Sequence, residues 1–405
     1  MVMASDKLFE RKLFFKQLQL SSLLELTTAI NANLPEDSLY LIYRNTLLAS
    51  LSIKKMALFV NDANWICKAI QGVDVNVKEA VLPTHLLELD KASEIELQSE
   101  LSVFKYAVPV KHKNKLLAVC LLDETALQPD FDLNYLQTIS NITLVAIENK
   151  KLARKNIEQE ALRKEIEIAK NVQMNLIPDE LPNTHFFSMY ASYYPNSMVG
   201  GDYYDFIQIN EHQFFITIAD VSGKGIPAAL LMSNFQATLR TLVTYTKDLI
   251  EITHQLNKQV HENAKGEKFI TCFLALVDTQ TNTITSVNAG HNPPYFAIDQ
   301  QCFWLEKGTC ILGMFPQLPF IEVEEIKFDQ NFHLFLYTDG VSEVMNNAGD
   351  EFGQEGIQAF LEHNTNFNLV EVHEQLYSEL HTYKESKSFP DDITYMSCIF
   401  NSAKK

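Results

Sequence analysis

No stretch of this chain approaches the roughly 18 consecutive apolar residues that a bilayer-spanning helix needs. The opening Met1-Val-Met-Ala-Ser-Asp-Lys-Leu-Phe-Glu10 also lacks the apolar centre of a signal peptide. Both absences exclude a helical membrane span and point to a soluble, cytoplasmic protein that senses through ligands or partners. Basic charge is scarce as well: 33 Lys and Arg stand against 51 Asp and Glu, a net charge of −18. Nucleic acid and anionic membranes are bound through basic surface, so neither is expected as a partner, and a protein partner should present a neutral or basic face. The six cysteines, at 67, 120, 272, 302, 310 and 398, form no Cys-x-x-Cys pair and no zinc-type spacing with His. They read as small apolar core residues in a reducing compartment. There is no internal repeat and no low-complexity segment.

What the chain has is length, apolar content and four short carboxylate stretches. At 405 residues, 46% of them hydrophobic, it can build two or three domains with proper cores. The stretches are Val199-Gly-Gly-Asp-Tyr-Tyr-Asp-Phe206, Asp220-Val-Ser-Gly-Lys-Gly225, Tyr337-Thr-Asp-Gly-Val-Ser-Glu343 and Asp391-Asp-Ile-Thr394. Each sets an Asp beside Gly, Ser or Thr at the end of an apolar run, where strand ends meet. Hard divalent cations prefer carboxylate, carbonyl and water oxygens, so four such Asp residues could hold two ions for hydrolysis of a phosphate ester. Taken singly, Asp residues in such settings are more often only turn formers, as Asp-Gly and Asp-Asp pairs commonly are.

Together and in this order the stretches resemble the PPM metallophosphatases, the protein phosphatase 2C superfamily, and in particular its bacterial SpoIIE-type branch. The resemblance runs from about Ile177 to Phe400. It implies a C-terminal αββα sandwich of two antiparallel sheets and a serine/threonine phosphatase that uses water activated by two Mn²⁺ or Mg²⁺ ions. Its substrate would be a phosphorylated regulatory protein, such as an antagonist of an anti-sigma factor. By the same resemblance Asp220 bridges the two metals, the Val221 carbonyl lies near one of them, and Asp202, Asp339 and Asp391 complete the ligand set. Asp392 is then a group that orients water, or an alternative to Asp391. Asp205 and Glu343, in the same motifs, read equally well as turn or helix caps.

Flanking residues fit this arrangement. Gly200, Gly201, Gly223 and Gly225 permit close approaches that a Cβ would obstruct, and the run from Ile226 to Val243 has helical spacing with Pro227 in its first turn. Asn288-Ala-Gly-His-Asn-Pro-Pro-Tyr295 also resembles the bacterial branch. His291 within it either donates a proton or touches substrate phosphate, or only stabilises its loop. Protein phosphatase 2C itself carries a His where this chain has Ser222, and a phosphate-binding Arg where it has Pro195-Asn-Ser-Met-Val-Gly201. Lys224 is either an auxiliary cation or a solvated turn residue.

The fold expected overall is α+β. Residues 14–50 read as two helices, and strands are expected at 55–60, 65–70, 104–110 and 116–122. This order resembles a GAF domain (1–132), either a sensor with an unidentified small ligand or a module that only dimerises. Residues 133–176 contain neither Gly nor Pro and predict a helix about 66 Å long if continuous. Within it Leu162, Ile166, Ala169, Gln173 and Leu176 follow the 4-3-4-3 spacing of a coiled-coil seam, so the segment 133–178 reads as a helical linker supporting a homodimer. Residues 179–405 form the phosphatase domain, with apolar strands at 214–219, 271–277, 283–287 and 333–337 and helical tracts at 226–244, 248–264 and 368–384. The alternatives to an enzyme are a catalytically weak scaffold that binds a partner through the same fold, and a carboxylate cluster holding structural Ca²⁺.

Overall fold

The computed structural model describes residues 2–401 apart from 63, 114, 128–130, 185, 197–198, 299–300 and 365–367, and it describes no side chains for 2–12, 75 and 99. Ser197 and Met198, in the segment singled out ahead of Asp202, therefore lie outside the described residues. The chain forms two compact units, residues 1–160 and 161–405.

In the first unit, helices α1 (Val2–Asn31) and α2 (Glu36–Leu51) precede strands β1 (Met56–Asp62) and β2 (Asn64–Gln71). A short helix α3 (Thr84–Leu87) and strand β3 (Ser93–Glu94) fill the middle, followed by β4 (Tyr106–His112) and β5 (Lys115–Leu122). The strands form one antiparallel sheet in the order β2-β1-β5-β4-β3. Alternate residues of its central strands serve two cores, as the period of two requires. Met56, Leu58, Cys120 and Leu122 pack with Leu39, Tyr43 and Leu47 of α2 and with Leu136 and Ile139 of α4 (Leu133–Met174). Ala57, Phe59, Val119 and Leu121 face the other way, against Val77, Leu86, Leu101 and Phe104. That second face is filled by side chains, and the depression beside it, bordered by Lys55, Asp74, Asn76, Glu100 and Ser102, is open and polar.

The second unit stacks two sheets between two helical layers. One sheet runs β13-β10-β9-β8-β7, with β14 also on β10; the other runs β12-β11-β15-β16-β6. The strands are β6 (Phe187–Tyr194), β7 (Tyr203–Gln208), β8 (Gln213–Val221), β9 (Ile270–Asp278), β10 (Thr283–Ala289), β11 (Tyr295–Ile298) and β12 (Gln301–Trp304). They continue with β13 (Gly308–Thr309), β14 (Glu324–Lys327), β15 (Phe332–Tyr337) and β16 (Ile393–Phe400). Pairing is antiparallel except for the two-residue β10–β13 contact, which is parallel. Phe214, Ile216 and Ile218 meet Phe296, Leu334, Leu336 and Met396 between the sheets. The intervening Phe215 and Ala219 pack outward on α5 (Ile226–Tyr245) and α6 (Leu249–Ala264). Phe335, Tyr337 and Tyr395 pack outward on α8 (Gly353–His363) and α9 (Leu369–Tyr383); α7 (Asp339–Ser342) is a single turn after β15. With both faces covered, the strands read as near-continuous apolar runs.

Three expectations need correction. The last two positions of the proposed coiled-coil seam are taken up inside the second unit: Gln173 is buried and donates to the Gly200 carbonyl at 2.8 Å, and Leu176 packs on the core beneath α5 and α6. An amide buried at a helix end is held by a backbone acceptor, which heptad spacing does not reveal. Cys302 is exposed and Cys310 half-buried, so only four of the cysteines are core residues. Asp205 caps nothing: it is fully buried within β7 and receives both Nε and Nη2 of Arg240 from α5 at 2.8 Å, with the Tyr203 hydroxyl donating to it as well. A buried carboxylate needs such a partner.

Candidate metal centre

The strand ends of the two sheets bring the four carboxylate stretches to one edge. Asp202 directly precedes β7, Asp220 is the penultimate residue of β8, Asp339 follows β15 after one residue, and Asp391 precedes β16 by two. Asp202 is buried at 3% exposure. Its Oδ2 accepts from Thr338 Oγ1 at 2.9 Å and from Thr394 Oγ1. Thr338 and Thr394 are also joined through the Thr338 N–H to Thr394 carbonyl bond of 2.9 Å, so neighbouring strands of one sheet hold an aspartate that opens a strand of the other. Burial raises the Asp202 carboxyl well above the usual carboxylate range, and the neighbouring Asp220 charge adds to this.

Asp220 lies beside Asp202, and burial, followed by the charges of Asp339 and Asp391, pushes its carboxyl up to about 7. Asp339 is raised in turn by burial and then by Asp391. Asp391 is more open, and Lys224 Nζ lies 3.0 Å from its Oδ1 while also donating to the Pro390 carbonyl at 3.1 Å.

Asp392 faces differently. Its Oδ1 accepts the Asn196 N–H at 2.7 Å and its Oδ2 the Gly201 N–H at 3.1 Å. It therefore cradles the backbone that leads into Asp202. Two glycines make the approach possible: a Cβ on Gly201 would stand 2.8 Å from the Val221 carbonyl oxygen, and one on Gly340 would stand 1.8 Å from that of Asp392. Glu343, in the third motif, closes the α7 turn through its N–H to the Asp339 carbonyl at 2.8 Å.

The Asp220–Gly225 loop is pinned from outside by residues the sequence reading overlooked. Ser222 exchanges bonds with Phe269, its N–H reaching the Phe269 carbonyl at 3.0 Å and its Oγ accepting the Phe269 N–H at 2.9 Å. Lys268 Nζ donates to the Ser222 carbonyl at 3.0 Å. Lone Lys and Phe residues ahead of a strand carry no motif, so only the fold identifies them. Thr338 and Thr394, by contrast, lay in view beside their Asp residues. His291 is buried at 5% exposure, its Nδ1 2.9 Å from Thr271 Oγ1, and burial lowers its pKa to about 4.

Among the described residues, no group of three or more His, Cys, Asp and Glu side chains is gathered closely enough to form a coordination shell for a metal ion. Magnesium-type sites keep several waters and take only one or two carboxylates per ion, so the donor set does not require such a shell.

Residues 210–400 match the model of the Stage II sporulation protein E (SpoIIE) family. Phosphoserine phosphatase RsbU of Bacillus subtilis is 31% identical over 193 residues, 47% of this chain and 57% of that protein. Phosphoserine phosphatase RsbP of the same organism is 29% identical over 185 residues, 44% of this chain and 45% of that protein. Protein IcfG of Synechocystis is 25% identical over 281 residues, 62% of this chain and 44% of that protein. The chain thus spans about half the length of the curated relatives it matches. Among solved structures, the SiaA-PP2C domain of Pseudomonas aeruginosa superposes with a TM-score of 0.53 at 19% identity, covering 60% of this chain and 98% of that one. Residues 210–400 of this chain are thus similar to the SpoIIE family, and the second unit shares its fold with a PP2C domain.

Proposed function

We propose that the second unit is a metal-dependent phosphoprotein phosphatase acting on phosphoserine or phosphothreonine of a regulatory protein, for example an anti-sigma factor antagonist, and that the GAF-like first unit regulates it. The observation that carries this reading is the convergence of Asp202, Asp220, Asp339 and Asp391 from four strand ends on one edge of the sandwich. Two relatives bearing the name phosphoserine phosphatase support the substrate class.

The donor set is all hard oxygen, which suits Mg²⁺ or Mn²⁺. The crowded carboxylates raise one another's pKa, a repulsion that cations relieve. Asp220 would be shared by two ions with the Val221 carbonyl alongside, and Asp202, Asp339 and Asp391 would complete the set, leaving Asp392 to hold the loop ahead of Asp202. Bound divalent cations would polarise the phosphoryl oxygens and lower the pKa of water.

The chain's own groups orient this site. Thr338 and Thr394 aim Asp202, while Ser222, held by Phe269 and Lys268, fixes the loop after Val221. Ser222 is committed to that backbone contact and is no proton donor. Lys224, half exposed beside Asp391, is a cation able to meet an incoming phosphate. His291, buried with its pKa well below neutrality, positions its neighbours instead of transferring a proton.

Regulation would pass through the end of α4, because Gln173 holds the carbonyl of Gly200, two residues before Asp202. Exposed Ile157, Ile168 and Val172, which share one face of the same helix, support pairing of two copies. A small ligand of the first unit would have to use the open polar depression, since the apolar face is filled. The experiment is hydrolysis of para-nitrophenyl phosphate and of a phosphoserine peptide across a Mn²⁺ titration, with light scattering for the dimer. Activity lost on chelation is expected. Mn²⁺ binding without turnover would leave a scaffold, and stability dependent on Ca²⁺ without turnover would leave a structural site.

A further inference from the structure

The stretch Asn288-Ala-Gly-His-Asn292 lies outside the ligand set, yet the side chains of His291 and Asn292 bond to residues beside it. Asn288, near the end of β10, donates Nδ2 to the Leu305 carbonyl at 3.1 Å and accepts the His291 N–H on Oδ1 at 2.7 Å, which shapes the turn. His291 Nδ1 then lies 2.9 Å from Thr271 Oγ1. Thr271 stands directly opposite Asp220 in the β8–β9 ladder, so the two side chains share one face of the sheet. Asn292 reaches the other way: its Nδ2 donates to Ser342 Oγ at 3.0 Å, and Ser342 Oγ donates to the Asp339 carbonyl at 3.3 Å.

One turn therefore touches the partner of Asp220 on the first sheet and the helical turn that Asp339 opens after the second. Asp220 and Asp339 come from different sheets, and no backbone hydrogen bond of either sheet sets their separation. Packing between sheets tolerates small slips, whereas a pair of hydrogen bonds at a turn does not.

We propose that His291 and Asn292 are positioning residues that clamp the two sheets at the carboxylate edge and set the separation of Asp220 and Asp339, and with it the affinity for divalent cations. This rests on the metal-dependent reading above. Groups that orient ligands from behind typically change metal affinity by about 10- to 100-fold when removed.

The test is Mn²⁺ binding by calorimetry on the full chain, which needs no turnover, alongside thermal unfolding of each metal-free protein. Asn292→Ala and Ser342→Ala should each weaken Mn²⁺ about 10-fold, and the double variant should be no worse than Ser342→Ala alone, because Asn292 acts through the Ser342 hydroxyl. His291→Ala should weaken binding similarly and His291→Asn, which keeps a polar atom near the Nδ1 position, should recover most of it. Arg240→Ala is the control: it destabilises the same unit through Asp205 without touching the clamp, and should leave Mn²⁺ affinity within about twofold.

Unchanged affinity in folded Asn292→Ala and Ser342→Ala proteins overturns the clamp while leaving the metal site intact. So does a loss in Arg240→Ala equal to theirs, since affinity would then follow stability alone. If Asn292→Ala does not fold, the milder Ser342→Ala decides by the same criterion. A wild-type chain that binds no Mn²⁺ sinks the metal-dependent reading and the clamp with it; one that binds Mn²⁺ with the expected ranking but hydrolyses nothing sustains the clamp and removes only the phosphatase.

Discussion

Two sets of carboxylates, Asp123 in the first unit and Asp202 with Asp220 in the second, are treated in opposite ways. In the first, Asp123 after β5 accepts the N–H groups of Lys54 and Lys55 at 3.1 and 2.8 Å and that of Thr125 at 3.0 Å. Its charge is spent on tying the start of β1 to the end of β5. In the second, buried Asp202 and half-buried Asp220 lie against each other, with the nearest charges also acidic. A carboxylate that accepts backbone donors stabilises a fold, and carboxylates that crowd one another do not. The contrast separates a carboxylate that ties strands together from an edge where negative charge is crowded.

The largest expected effect is at that edge. Asp220→Asn should lower phosphatase activity by at least about 100-fold, because a neutral amide cannot hold two cations against their mutual repulsion. The thermal midpoint of the metal-free variant should hold or rise, since a repelling charge has gone. Wild-type turnover across a Mn²⁺ titration would remove Asp220 from the site. Asp123→Ala should do the reverse, costing about 2 kcal/mol in denaturant unfolding of the first unit by leaving backbone donors unpaired, with the Mn²⁺ requirement unchanged.

The adjacent acids at 391 and 392 sharpen the same contrast within a dipeptide. Asp391→Ala should raise the Mn²⁺ concentration for half-maximal activity by about 10-fold. Asp392→Ala should instead lower the rate and the melting temperature, because the Asn196 and Gly201 N–H groups lose their acceptor. The opposite ranking would place Asp392 on the metal.

The smallest effect expected is one of pH. His373, buried between α9 and the outer sheet, contacts Ser192 Oγ at 2.9 Å and Ser397 Oγ at 3.0 Å, and burial lowers its pKa to about 3. A folded-state pKa below the ordinary 6.5 means that the unfolded chain takes up the proton first. Its contribution is therefore fully present above about pH 6.5 and is lost as pH falls toward 3. Across pH 6.5 to 4, the unfolding free energy of His373→Gln should vary less steeply with pH than that of the wild type. Parallel curves would show that His373 is not the group titrating.

Much of this was legible in the chain. The strands at 214–219 and 271–277 and the helix after Gly225 announce themselves because apolar runs bounded by Gly, Pro and Asp have few other uses. Strands β6, β7 and β16 were harder, since Tyr, Ser and Asp interrupt them and their faces are decided by what they pack on. Asp205 shows the reason: in sequence it is one more acid in a turn-like motif, and only the arrival of Arg240, 35 residues later, makes it a buried structural ion.

Sequence alone determined which residues could form the site, because four Asp residues beside Gly, Ser and Thr at the ends of apolar runs are a local pattern, and hard-oxygen chemistry follows from residue type. Tertiary structure decided what each one does. Whether an Asp meets a threonine hydroxyl, a backbone N–H, a lysine or another Asp depends on strands brought together from as far as 192 residues apart, as for Thr394 and Asp202. Such pairings are set by the packing of two sheets, and the physical identity of a carboxylate in a protein is the company it keeps.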